Sequence, residues 1–99
     1  MAVRVTLAPV ARDDLVRIRT WHHQPGAGRA AKEKVQRLLR AIREIGAAPH
    51  IWPEGGEPGT QERVVVGHVI VYRAVYAESG RRRPLRVEVV RVFGPGQNR

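Results

Sequence analysis

Hydrophobic and polar positions alternate or recur along this chain with periods that define six elements. Val3, Val5 and Leu7 alternate with Ala2, Arg4 and Thr6, the period of a short strand with one buried face. Pro9 fixes a φ suited to a first helical turn, and Ala11, Leu15 and Ile18 follow at spacings of four and three. They predict a helix to about Trp21, with Asp13 and Asp14 near its positive end. The run His23-Gln24-Pro25-Gly26-Ala27-Gly28 interrupts it. From Arg29 to Ile45 a stripe of Ala31, Val35, Leu38, Ile42 and Ile45, widened by Leu39, predicts a second helix that Gly46 closes. Joined by a short loop, the two helices should form an antiparallel hairpin.

Ala47 to Thr60 is rich in Pro and Gly and reads as a loop carrying Trp52. Gln61–Val66 and Val69–Tyr76 flank Gly67-His68, which suggests a two-residue hairpin turn. That turn would place Val65 opposite Ile70, Arg63 opposite Tyr72 and Glu62 opposite Arg73. The Val69–Tyr76 strand is apolar on both faces and should be central. Leu85 to Phe93 forms the last strand, after an Arg-rich connection. The fold class expected is α+β, in the order βααβββ, with a helical hairpin packed on a small, mostly antiparallel sheet. Residues 1–99 should form one domain, since 99 residues suffice for a single two-layer core.

Composition narrows the chemistry. There is no cysteine, which excludes disulfides, a thiol nucleophile and thiolate metal sites. No apolar run approaches the roughly 20 residues that span a bilayer, and the first nine residues lack a secretion signal, so a cytoplasmic location without membrane contact is expected. Eighteen Lys and Arg against nine Asp and Glu give a formal charge of +9. The excess lies in the N-terminal half and the last 19 residues, while 49–80 is mildly acidic.

Side-chain constellations exclude more than they assign. His22 and His23 diverge on a helix, His50 and His68 fall on a loop and a turn, and all four are expected at the surface; neither a metal nor a cofactor is expected. Ser79, the lone serine, has no nucleophile context, and no phosphate-binding Gly-rich loop precedes a helix. Asp13 and Asp14 read as helix-start residues. Arginine remains. Arg73 within an apolar strand needs either a partner, with Glu62 the cross-strand candidate, or an anionic ligand that Arg63, Arg91 and Arg99 would help to hold. Arg63 could instead lie over the Tyr72 ring. The basic face of the second helix and Arg81-Arg82-Arg83 could steer an acidic partner or only be solvated. Trp21 and Trp52 are either an exposed anchoring pair or lids on the core.

The chain resembles the RelE/ParE superfamily of type II toxin–antitoxin toxins. The likeness is carried by Ala11-Arg12-Asp13-Asp14-Leu15 with Ile18 and Trp21, the basic helix from Ala30 to Ile45, Gln61-Glu62-Arg63-Val64-Val65-Val66, Tyr72-Arg73-Ala74-Val75-Tyr76 and Val90-Arg91-Val92-Phe93-Gly94 with Gln97-Asn98-Arg99. It implies one of two activities. RelE-like members are ribosome-dependent messenger-RNA endonucleases that grip phosphate with basic residues, for which Arg73, Arg63 and Arg99 would serve here. ParE-like members inhibit DNA gyrase, and an acidic, ParD-like antitoxin neutralises them; Arg73, Arg63, Arg91, Arg99 and Trp52 are then the candidate contacts with target or antitoxin. A metal-free ribonuclease needs a proton acceptor for the 2′-hydroxyl. The tail after Phe93 supplies Arg99 but neither an aromatic hydroxyl nor an imidazole, which favours the ParE-like branch. A non-toxic nucleic-acid-binding module is the remaining reading.

Overall fold

The computed structural model describes residues 3–26, 28–49, 53–76 and 84–95. Strand β1 (Arg4–Leu7) leads into helix α1 (Pro9–His22), and helix α2 (Gly28–Ile45) returns beside it. Strands β2 (Gln61–Val65), β3 (His68–Tyr76) and β4 (Pro84–Phe93) complete the chain. The predicted order βααβββ holds throughout, with helix boundaries within two residues of those expected. The sheet order is β1-β4-β3-β2. β2, β3 and β4 are antiparallel, and β1 runs parallel to β4, Val5 opposite Val87 and Leu7 opposite Val89.

The helical hairpin covers one face of this sheet. The stripe that predicted α2 is the buried one: Val35, Leu38, Ile42 and Ile45 are buried, joined by Ala41. They meet Ala11 and Ile18 of α1 and Ile70, Tyr72, Val87, Val89 and Val92 of the sheet. Val3, Val5 and Leu7 pack against the same core. Each fully buried aliphatic side chain contributes on the order of 2 kcal/mol through loss of apolar surface to water. Leu39 widens the stripe only partly and is 37% exposed.

Gly46 ends α2 where β1 begins its approach. The Val3 amide donates to the Gly46 carbonyl at 2.9 Å, and a Cβ at position 46 would collide with the Val3 carbonyl oxygen and sit 2.9 Å from Val5 Cγ2. Absence of a side chain, rather than an unusual dihedral, is what this junction needs.

Two expectations are corrected. The β2–β3 turn is Val66-Gly67, not Gly67-His68: Val65 faces His68, Arg63 faces Ile70 and Glu62 faces Val71. Both central residues have positive φ, 45° at Val66 and 79° at Gly67, the signature of a type I′ turn. Expected and observed partners differ by two residues, which leaves every side chain on its expected face, so the hydrophobic pattern could not distinguish the two registers. His68 is consequently the first residue of β3 and only 2% exposed, not a surface turn residue. Of the two readings of Trp21, the exposed one holds: the side chain is 69% exposed and closes no core.

Candidate functional site

The described candidate arginines, Arg63, Arg73 and Arg91, are each engaged, and they do not converge. Arg73 projects to the sheet face opposite the helices. β2 ends its pairing at Tyr72, one residue short of Arg73, so Glu62 is out of register. Glu88 of β4 faces Arg73 instead and accepts from its Nε and Nη2, both at 2.9 Å. The expected cross-strand carboxylate exists but comes from the other neighbour.

Arg63 turns to the helical side. Its guanidinium donates to the Ala41 carbonyl at 2.8 Å and to Glu44 at 3.1 Å, near the negative end of α2, and does not face Tyr72 across the hairpin. This clamps β2 to α2. Tyr72 lies fully buried beneath, its hydroxyl donating to the Pro49 carbonyl at 2.8 Å. Burial pushes the Tyr72 pKa up to about 12, against a smaller lowering by the nearby Arg63 charge.

Arg91 is held by Asp14, a residue expected only to favour a helix start. α1 begins at Pro9, with Asp13 and Asp14 already beyond its first turn. Asp14 is 1% exposed and receives four hydrogen bonds: Arg91 Nε at 2.8 Å, Arg91 Nη2 at 3.1 Å, Arg17 Nη2 at 3.0 Å and the Val92 amide at 2.9 Å. Burial by itself would raise its pKa, but the hydrogen bonds from Arg91, Val92 and Arg17 together outweigh it and hold the carboxyl below its ordinary value. Asp14 stands where β1 no longer flanks β4, so it serves the strand edge as a neighbouring carbonyl would. The signal was present in sequence: Asp14 lies three residues after Ala11 and four before Ile18, on the stripe otherwise made of core residues.

A cleft of about 800 Å³ opens near this junction, lined by Gly56, Glu57, Glu62, Val71, Val90, Arg91 and Phe93. The 53–60 segment frames it by folding back on β2: Glu62 N donates to Pro53, Gly55 N to Thr60, and Gly56 N to the Glu62 carboxylate. Arg91 lies 4.6 Å over the Phe93 ring. Two carboxylates and an arginine already committed to Asp14 make this cleft mixed in charge; it is not a cradle for phosphate. Trp52 and Arg99 lie outside the described residues, as do His50, Ser79 and Arg81-Arg82-Arg83. Among the described residues no three His, Asp or Glu side chains gather as metal ligands.

The strongly positive surface is the helical one. α2 exposes Lys32, Lys34, Arg37, Arg40 and Arg43, and α1 exposes Arg12, Arg17 and Arg19 beside Val10, Val16 and Trp21. A second cleft, about 470 Å³, lies at the end of this layer between Arg17, Ile18, Trp21, His22, His68, Gly94 and Pro95. No described helix is long and apolar enough to cross a membrane.

This short edge strand, basic helical hairpin and four-stranded sheet make up the fold of small toxins from toxin–antitoxin pairs. The chain superposes on a chain of the chromosomal ParDE toxin–antitoxin system from Pseudomonas aeruginosa with a TM-score of 0.73 at 11% identity, covering 95% of this chain and 97% of that one. It also superposes on a chain of the RelBE2 toxin–antitoxin complex from Mycobacterium tuberculosis with a TM-score of 0.51 at 18% identity, covering 95% and 99%. No curated protein matches the sequence significantly. The family model described as the ParE toxin of the type II toxin–antitoxin system parDE matches residues 5–98, and the chain belongs to that family.

Proposed function

We propose that this ParE-family toxin acts in the cytoplasm by inhibiting DNA gyrase and is neutralised by an acidic antitoxin. The family match over residues 5–98 carries the reading. The geometry agrees with it: Arg63, Arg73 and Arg91 are each bound to a carboxylate, on different parts of the sheet, and make no common phosphate grip. An antitoxin segment rich in Asp and Glu would be steered by the basic helical face and held by the exposed Val10, Val16 and Trp21.

The test runs two assays on the same purified protein. Gyrase supercoiling should be inhibited, while a reporter message translated with the protein should remain intact. Message cleavage that disappears in a folded Arg73→Ala variant, with supercoiling unaffected, would overturn the proposal in favour of a ribosome-dependent endonuclease. Addition of an acidic antitoxin should reverse the inhibition, and its association rate should fall as salt rises.

A further inference from the structure

His68 poses a chemical problem that the fold leaves unsolved. Its ring is 2% exposed; Nδ1 lies 3.0 Å from the Val66 carbonyl, whereas Nε2 is buried without a hydrogen-bond partner. A carbonyl only accepts, so Nδ1 carries the hydrogen and Nε2 holds a lone pair. The same logic applies to His22, whose Nδ1 donates to the Ile18 carbonyl at 2.8 Å. The two rings are 5.6 Å apart between centroids, tilted by 49°, and both line the 470 Å³ cleft. A pair of imidazoles, that of His68 with its Nε2 unpartnered, thus stands at the end of a pocket walled by Ile18, Trp21 and Pro95.

The surroundings select among ligands. Lone pairs call for a proton, a metal ion or a hydrogen-bond donor. The charged and titratable groups around His68 are Arg17 and His22 from α1 and, outside the cleft lining, Lys34 from α2; the Asp14 carboxylate is taken up by Arg17, Arg91 and Val92, and Gly94 and Pro95 bring no charge. With the single Asp14 charge shared between Arg17 and Arg91, and Lys34 nearby, the surroundings keep a net positive charge, which opposes a metal ion and attracts an anion. An anion can bind against a lone pair only if a proton enters with it.

We propose that this cleft binds an acidic side chain of the partner segment, with one proton taken up at the His22–His68 pair. The proposal rests on the acidic-antitoxin reading and adds to it a site and a pH dependence. The apolar walls receive the methylenes of the side chain, the positive surroundings with Arg17 at the cleft wall draw its carboxylate, and the imidazolium formed on binding gives Nε2 its missing partner. Desolvation by burial, aided by the positive electrostatic surroundings from α1 and α2, outweighs the Val66 hydrogen bond and holds the His68 pKa below its ordinary 6.5. In the unliganded protein the ring is therefore neutral at pH 7, and the arriving carboxylate brings the proton on. Attraction by fixed positive charge alone would be insensitive to pH between 6 and 8, the range in which an imidazole is the side chain that ordinarily changes charge.

The test uses acetyl-glutamate-amide as probe and the isosteric acetyl-glutamine-amide as control, with His22 and His68 ring signals followed by NMR at constant ionic strength. The glutamate probe should shift both rings and bind about tenfold more tightly at pH 6 than at pH 8, the dependence expected for partial uptake of one proton over two pH units. The glutamine probe should bind weakly and without pH dependence. In His68→Gln the pH dependence should vanish; His22→Gln, at a less buried site, should reduce it and guards against a folding defect at position 68. Equal binding of both probes, or glutamate binding that ignores pH, overturns the proposal. So does tight Zn2+ binding at pH 7.5 that is lost in His68→Gln, which would make the pair a metal site. These results are independent of the supercoiling assay, so the site can fail while the toxin reading stands.

Discussion

Replacing Asp14 by Ala removes the acceptor for four hydrogen bonds, and their separate exposures determine the loss. The Val92 amide is buried and would be left without a partner, at a cost of about 2 kcal/mol. Arg91 and Arg17 retain side-chain exposures of 39% and 53%, so both can turn to water, and their pairs contribute less than about 1 kcal/mol each. The expected destabilisation is about 3 kcal/mol, or a fall in Tm of roughly 12–24 °C for a domain of this size. Asp14→Asn keeps an acceptor for Val92 and should lose only about 1–2 kcal/mol. Acid provides an internal check. The folded carboxyl titrates below its ordinary 3.8, so its stabilisation is complete above that value and disappears as pH falls through the folded pKa. The gap between the native protein and Asp14→Asn should therefore close on acidification below pH 3.8. Urea unfolding followed by circular dichroism, repeated across pH, measures both. A loss below about 1 kcal/mol for Asp14→Ala, or a gap that stays constant into acid, would refute the account.

Other expectations concern the turn, the β1 junction and the buried phenol. Val66→Asn should stabilise the protein by about 1 kcal/mol, because a β-branched residue at φ 45° is strained and asparagine adopts that region readily; the urea midpoint should rise. Gly46→Ala should cost at least about 2 kcal/mol, since its methyl meets the Val3 backbone carbonyl, which cannot swing aside, as well as the Val5 side chain, and thermal melting reports it. Tyr72→Phe should lose about 1 kcal/mol by abandoning the Pro49 carbonyl, and should remove the part of alkaline destabilisation that begins near pH 10, where the unfolded phenol ionises while the folded one stays neutral.

The elements were legible because period and burial coincide: the α2 stripe from Val35 to Ile45 is the face that meets the sheet, and Val3, Val5 and Leu7 of the first strand pack as their alternation implies. Pairing was less so. A turn displaced by one residue moves every partner by two and preserves both faces, so nothing in the alternation separated Glu62 from Glu88 as the partner of Arg73. The charged residues that mattered were those occupying apolar positions. Asp14 lies on the α1 core stripe, and His68 shares the inward phase of Ile70 and Tyr72; each was a polar residue in an apolar register, the pattern that marks a buried polar contact. Arg91 could not be assigned because its partner is 77 residues away.

Asp14 also bears on how the protein behaves among its own copies. Beyond Leu7, where β1 stops, the flank of β4 through Val92 would be a row of open amides and carbonyls beside apolar side chains, the kind of template on which chains polymerise. A carboxylate bound to Val92 and backed by two arginines closes that flank with charge. Its loss would free a sticky rim as well as weaken the fold, so Asp14→Ala protein should form β-rich aggregates at concentrations where Asp14→Asn remains dispersed.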